Sequence, residues 1–157
     1  MSPPMIEQTK NLVRKLFDGV MDKGGRPYAD HCIRVMELLP EGLSEDAYHA
    51  ALLHDVLEDT DLRAIDLKAF GYSDRTINLV RALSRPDGSV YMDWVRWIAD
   101  SGDRELIAIK LADNADNSDP ERIAQLPPEQ RDIAKRYELA RRILESPAPQ
   151  TETGEME

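Results

Sequence analysis

Ala51-Leu52-Leu53-His54-Asp55-Val56-Leu57-Glu58-Asp59-Thr60 is the stretch on which the fold of this chain turns. Leu52, Leu53, Val56 and Leu57 recur at helical spacing and predict an amphipathic helix with one face packed inward. The other face is polar. His54 and Glu58 are i, i+4 neighbours, Asp55 and Asp59 are another such pair, and the four together span an arc of about 140°. A histidine beside an aspartate on an apolar turn is costly to bury unless something compensates, and a divalent cation bonded to both would do so. His-Asp alone is a common dipeptide, so the metal reading requires further ligands elsewhere in the chain.

Ser44, ahead of Glu45 and Asp46, is a suitable N-cap for this central helix, which is expected to run to about Thr60. His49 lies off the His54 face and is expected at the surface. Upstream, Ile6, Leu12, Val13, Leu16, Phe17 and Val20 predict a helix from Met5 to about Met21, and Gly24-Gly25 a turn. Pro27 then suits the first position of a second helix that reaches about Leu39 and carries Tyr28, His31 and Val35. By itself, His31 is an ordinary core histidine.

Downstream, residues 61–70 read as a short helix closed by Gly71, and Ser73 caps another through Leu83. Tyr91, Trp94, Val95 and Ile98 form a core stripe on the next. Asp103 caps a helix whose second half bears Lys110, Asp113, Asn114, Asp116 and Asn117. Asp119-Pro120-Glu121 opens a short helix, and a last one is expected from about Pro128 to Glu145. No strand-like alternation of useful length occurs, so the expected fold is all-α, a bundle of about eight helices over residues 1–145. Residues 146–157 are expected to form a disordered tail.

A chain of 157 residues suits one domain. Its formal net charge of −10 argues against nucleic acid or anionic membrane as a partner, since both need a basic surface. A small anionic ligand remains compatible, through local Lys, Arg and metal charge. The one cysteine, Cys32, allows no internal disulfide and reads as a small core residue. Met1 to Gln8 does not read as a leader, no run approaches a membrane span, and a cytoplasmic protein is the expectation.

The candidates for chemistry fall in the order His31, His54-Asp55, Asp113, and this order is more specific than any member. It resembles the HD metal-dependent phosphohydrolases, whose pattern is a histidine, then His-Asp, then a distant aspartate. Gly25-Arg26-Pro27-Tyr28-Ala29-Asp30-His31, Leu53 to Thr60 and Lys110 to Asn117 resemble more narrowly the hydrolase half of RelA/SpoT-type alarmone enzymes and the small alarmone hydrolases. The match covers roughly Leu12 to Asn117, and the remaining length is expected to hold no synthetase domain. The Glu58-Asp59 pair after His54-Asp55 is the discriminating element.

The resemblance implies an HD fold and a Mn²⁺-dependent enzyme that removes the 3′-pyrophosphate of (p)ppGpp. Carried over, His31, His54, Asp55 and Asp113 would hold the metal, and Glu58 and Asp59 would position and deprotonate the attacking water. Two imidazoles and two carboxylates suit Mn²⁺, Fe²⁺ or Zn²⁺ better than Ca²⁺. Asn117 resembles the family's ribose-contacting asparagine, and Lys110 could meet a phosphate or pair with a neighbouring acid. Where relatives carry Arg-Lys-Ser-Gly, this chain has Asp22-Lys23-Gly24-Gly25, which leaves Lys23, Arg26 and Arg85 as candidate nucleotide contacts. The base preference therefore stays open, with ppApp, NADPH or a nucleoside monophosphate as alternative substrates and a silent nucleotide-binding module as an alternative class. The oligomeric state is not legible.

Overall fold

Ser44, Ser73, Asp103 and Asp119 each turn a side-chain oxygen onto free backbone N–H groups of the turn that follows, and a helix starts at each. The computed structural model of the protein describes residues 2–146. In order these form α1 (Ile6–Leu16), α2 (Tyr28–Glu37), α3 (Glu45–Leu53), α4 (Val56–Asp59), α5 (Ala64–Ala69), α6 (Asp74–Ala82), α7 (Tyr91–Asp100), α8 (Arg104–Asn117) and α9 (Pro120–Ala124). A single 3₁₀ turn, Pro128–Gln130, then precedes α10 (Ile133–Glu145). The all-α expectation holds, since extended pairing among the described residues is limited to one isolated bridge, Met21 to Pro27. From residue 147 onward the expected tail lies outside the described residues.

Helix α3 runs through the middle of the bundle and packs on α1, α2, α6 and α8. Ala47, Ala50 and Ala51 are fully buried along it, and their small side chains let those neighbours approach closely while Leu52 and Leu53 fill the space between. Arg75 on α6 grips Asp103 at 2.7 Å and Glu105 at 3.1 Å, and Glu105 accepts the Ser44 backbone N–H at 2.8 Å. The starts of α3, α6 and α8 are thereby held together.

Three sequence expectations are corrected. The central helix does not run unbroken to Thr60: it bends at His54-Asp55, where the His54 N–H reaches back to Ala51, and resumes as α4. This bend contributes to the ten α-helices found among the described residues, against about eight expected. Helix α1 stops at Leu16, five residues short of Met21, because the chain turns at Gly19 in the left-handed region (φ +79°) and closes the Met21–Pro27 bridge. Val20 and Met21 are consequently exposed.

His49 is not at the surface but 5% exposed, because α3 has neighbours on nearly every side. Its Nδ1 lies 2.8 Å from Thr9 Oγ1, which is 2.6 Å from the Tyr72 hydroxyl. Burial holds the imidazole below its ordinary pKa, against a smaller opposing pull from Glu45 and Asp46. The unfolded chain therefore binds a proton here more readily than the folded one. The associated stability is present above about pH 6.5 and is lost as pH falls through the depressed folded value. Denaturant unfolding between pH 7.5 and 5 is expected to show a smaller stability loss in His49→Asn than in the unsubstituted protein. Equal losses would show that His49 is not a source of the acid sensitivity.

Candidate metal centre

His31 comes from the first half of α2, His54 and Asp55 from the bend between α3 and α4, and Asp113 from the second half of α8. The bend aims the His-Asp pair. Adjacent residues on a regular helix diverge by about 100°, whereas here His54 Nε2 and Asp55 Oδ2 end 3.0 Å apart. Asp113 Oδ1 lies 3.1 Å from His31 Nε2 and 3.3 Å from His54 Nε2, and His31 Nε2 is 3.9 Å from Asp55 Oδ2. Donor atoms bound at about 2.0–2.2 Å around one ion stand roughly 3–3.5 Å from one another, close to the spacing found.

The donor chemistry fits a divalent cation as well. His54 Nε2 is buried and has no hydrogen-bond partner among the described residues. Its Nδ1 lies 2.7 Å from the Ala51 carbonyl, so Nδ1 carries the proton and Nε2 offers its lone pair inward. His31 Nδ1 is held in turn by Asp116 Oδ2 at 2.7 Å. Burial works to raise the Asp113 pKa, but Lys110 at 2.8 Å and then His54 hold it well below the ordinary carboxylate range, so it stays an anion. Cys32, the expected core cysteine, is fully buried within 4.8 Å of donor atoms of His54 and Asp55.

Glu58 and Asp59 follow on α4, and Glu58 Oε2 accepts the Arg85 backbone N–H. Desolvation holds the Glu58 carboxyl above its usual range, with the Asp55 and Asp59 charges adding to it and the Arg85 N–H opposing it. Asp59 is raised first by desolvation and then by Asp55. Carboxyl groups tuned upward in this way are suited to accept a proton near neutral pH.

Two cavities meet beside these groups. The smaller, about 190 Å³, is lined by Asp55, Glu58 and Asp113 and by three cations, Arg85, Lys110 and Arg136. The larger, about 670 Å³, is lined by Lys23, Asp59 and Arg122 among the apolar surfaces of Phe17, Tyr28 and Ile133. Asn117 and Tyr137 line both. A chamber lined by both carboxylates and cations and a largely apolar one, side by side at a candidate metal centre, offer a phosphate group and an apolar ring system a place each.

No family model matches the chain. A Vibrio cholerae protein named guanosine-3′,5′-bis(diphosphate) 3′-pyrophosphohydrolase is 32% identical over 95% of this chain and 22% of its own length. The bifunctional (p)ppGpp synthase/hydrolase SpoT of Escherichia coli is 31% identical over 92% of this chain and 21% of its own. The chain thus spans about a fifth of the length of these curated relatives. A solved structure described as a metazoan ortholog of SpoT that hydrolyzes ppGpp superimposes with a TM-score of 0.75 at 22% identity, covering 98% of this chain and 93% of that one. The fold is that of the HD domain, and over nearly its whole length the chain is similar to one segment of these RelA/SpoT-type proteins.

Within this HD domain the sequence-predicted residues come together unevenly. His31, His54, Asp55 and Asp113 converge as described, and Glu58 and Asp59 border the cavities. Lys23 lines the larger cavity and donates to Gln130 at 3.1 Å. Arg85 lines the smaller one, although its guanidinium is bonded to the Ser89 carbonyl at 2.7 Å. Lys110 is buried and its ammonium is committed to Asp113, so the acid-pairing alternative is the contact seen. Asn117 donates to Asp113 Oδ1 at 3.1 Å. Arg26 is not brought to the site: it turns to Glu121 at 3.6 Å and lines neither cavity.

Sequence reasoning missed Arg34, Asp116, Arg122 and Arg136 as part of the HD domain's site. Asp116 stands i, i+3 from Asp113 on α8, and that shared face was a usable signal. Arg34 and Arg122 reach the same cluster across 82 and 91 residues of chain, to Asp116 and His31 respectively, and no local pattern announces such contacts.

Proposed function

We propose that this HD domain is a Mn²⁺-dependent phosphohydrolase that removes pyrophosphate from the 3′ position of (p)ppGpp-type nucleotides. The observation that carries the proposal is the unpartnered, buried Nε2 of His54, aimed among His31, Asp55 and Asp113 beside a chamber bearing Arg85, Lys110 and Arg136. The names of the relatives support the same substrate class. His31, His54, Asp55 and Asp113 would hold the cation, and two imidazoles with two carboxylates suit Mn²⁺ among other divalent transition metals. When bound, the cation supplies Lewis-acid charge to a phosphoryl oxygen and lowers the pKa of water.

The chain's own residues account for the rest. Glu58 and Asp59 accept the proton of a water that adds to the phosphorus carried on the 3′ oxygen. The phosphorus–oxygen bond to the sugar breaks, the 3′ oxygen takes up a proton, and pyrophosphate leaves. Arg85 and Arg136 offset the negative charge of that group, while Lys110 keeps Asp113 ionised. Phe17, Tyr28 and Tyr137 give the nucleoside an apolar surface to lie against.

The test is to incubate the Mn²⁺-loaded protein separately with ppGpp, ppApp and NADPH and to identify the phosphate species released. Pyrophosphate from ppGpp is the expected result. Pyrophosphate from ppApp alone would keep the reaction and change the base, orthophosphate from NADPH alone would replace the proposed substrate class, and silence on all three by a folded, metal-loaded protein would remove the proposed activity.

A further inference from the structure

One guanidinium touches both the candidate metal centre and the loop that walls the larger cavity. Arg122 donates from one amino group to Asp116 Oδ2 at 2.8 Å and to Asn117 Oδ1 at 3.2 Å, and it lies 3.1 Å from His31 Nδ1. Asp116 is the residue that holds His31, and Asn117 donates to Asp113. Two of the four candidate ligands, on different helices, are therefore oriented through Arg122. Its other amino group reaches Asp22 Oδ2 at 3.4 Å.

Asp22 in turn shapes the loop. Its Oδ1 accepts the backbone N–H groups of Gly24 and Arg26, each at 2.9 Å, and so closes the turn that places Lys23 and Gly24 at the larger cavity. The Asp22 carboxylate and the Arg122 guanidinium are both largely buried, at 4% and 15% side-chain exposure, so solvent screens the pair only weakly. Among the described residues the Asp22 side chain makes no hydrogen bond to a candidate ligand; its bonds run to its own loop and to Arg122. By hydrogen bonds, Asp22 is linked to the candidate ligands by way of Arg122.

We propose that Arg122 is a positioning residue that makes cation affinity depend on the conformation of the Asp22–Arg26 loop, and so couples nucleotide docking at that loop to metal binding. This rests on the metal centre assigned above. Hydrogen-bonding partners of metal-ligating histidines set their orientation and basicity, and losing one lowers metal affinity by about 10–100-fold. Because binding linkage is reciprocal, a nucleotide that orders the loop tightens cation binding by the same factor by which the cation tightens nucleotide binding.

The experiment is calorimetric titration of the nucleotide-free protein with Mn²⁺, in the unsubstituted chain and in Asp22→Asn, Arg122→Gln, the double variant and His54→Ala. The amide introduced by Asp22→Asn would keep an oxygen for the Gly24 and Arg26 N–H groups while removing the charge that faces Arg122. Arg122→Gln is expected to weaken Mn²⁺ binding about 10-fold or more, and Asp22→Asn about 3-fold, with no further loss when the two are combined. Thermal unfolding of Asp22→Asn without metal, close to that of the unsubstituted chain, would show that the loss is not one of folding. Undiminished Mn²⁺ affinity in Asp22→Asn, or strictly additive losses, would overturn the coupling while the metal centre stands. If the unsubstituted chain binds no more Mn²⁺ than His54→Ala, the metal centre and the coupling fall together.

Discussion

Asp55→Ala is expected to remove Mn²⁺ binding at this centre and to lower turnover of the nucleotide about a thousand-fold or more. Asp55 supplies one of two carboxylates to the candidate site, and its Oδ2 lies 3.0 Å from the unpartnered His54 Nε2, nearer than Asp113 Oδ1 at 3.3 Å. Without it the cation loses a charged donor while both imidazoles stay. A metal that polarises a phosphoryl oxygen is worth several kcal/mol in the transition state, and about 4 kcal/mol corresponds to roughly a thousand-fold in rate. Asp55 also accepts the Tyr28 hydroxyl, so the variant leaves that hydroxyl without its acceptor. Circular dichroism and thermal unfolding of the metal-free protein separate that effect from lost metal binding. A folded Asp55→Ala protein that keeps its Mn²⁺ affinity and its rate within tenfold would falsify the assignment of this centre.

Glu58→Gln is the complementary case, with chemistry lost and metal retained. Glu58 lies on α4, lines the smaller cavity and accepts the Arg85 backbone N–H, a contact the glutamine carbonyl can keep. Loss of the proposed general base is expected to lower kcat by about 10²–10⁴-fold. Mn²⁺ affinity is expected to stay within about twofold, because the four candidate ligands are untouched. The pH profile carries a second signature. A base acts only when deprotonated, and desolvation holds the Glu58 pKa above the ordinary glutamate value, so the rate falls with decreasing pH through that raised value. In Glu58→Gln this acid limb should move, leaving Asp59 as the remaining carboxyl of the pair. Since neighbouring carboxyls titrate together, Asp59→Asn belongs in the same series. If Glu58→Gln keeps its rate and Asp59→Asn loses it, the base is Asp59. If both keep it, the proton goes elsewhere.

Much of the molecule is legible in short stretches of sequence because the forces that set it are short-ranged. An N-cap is a bond between a side chain and a backbone N–H two or three residues on, so Ser44, Ser73, Asp103 and Asp119 each mark a helix start from within one turn. The inward residues of α6 follow from helical periodicity. His31, His54-Asp55 and Asp113 could be singled out because their order resembles a family pattern, and the fold then brings the four together.

Where local reading failed, a distant contact decided. Val20 fits the apolar period of α1, yet the chain leaves the helix at Leu16 to close the Met21–Pro27 bridge. His49 is off the His54 face, as its spacing says. What that spacing cannot say is that α1 and Tyr72 cover it with Thr9 and a phenol, from 40 residues upstream and 23 downstream.

By itself, then, the sequence determined the helical class, the places where most helices begin, and the chemical identity of the four candidate cation ligands. Tertiary structure alone decided the bend at His54-Asp55 that turns two adjacent side chains onto one point. It alone joined Arg34 to Asp116 and Arg122 to His31 and Asp22, and sent Arg26 away to Glu121. The reason is one of distance along the chain. Capping and periodicity are settled among residues one turn apart, whereas a contact such as Arg122 to Asp22 spans 100 residues and forms only after the helices between them have packed.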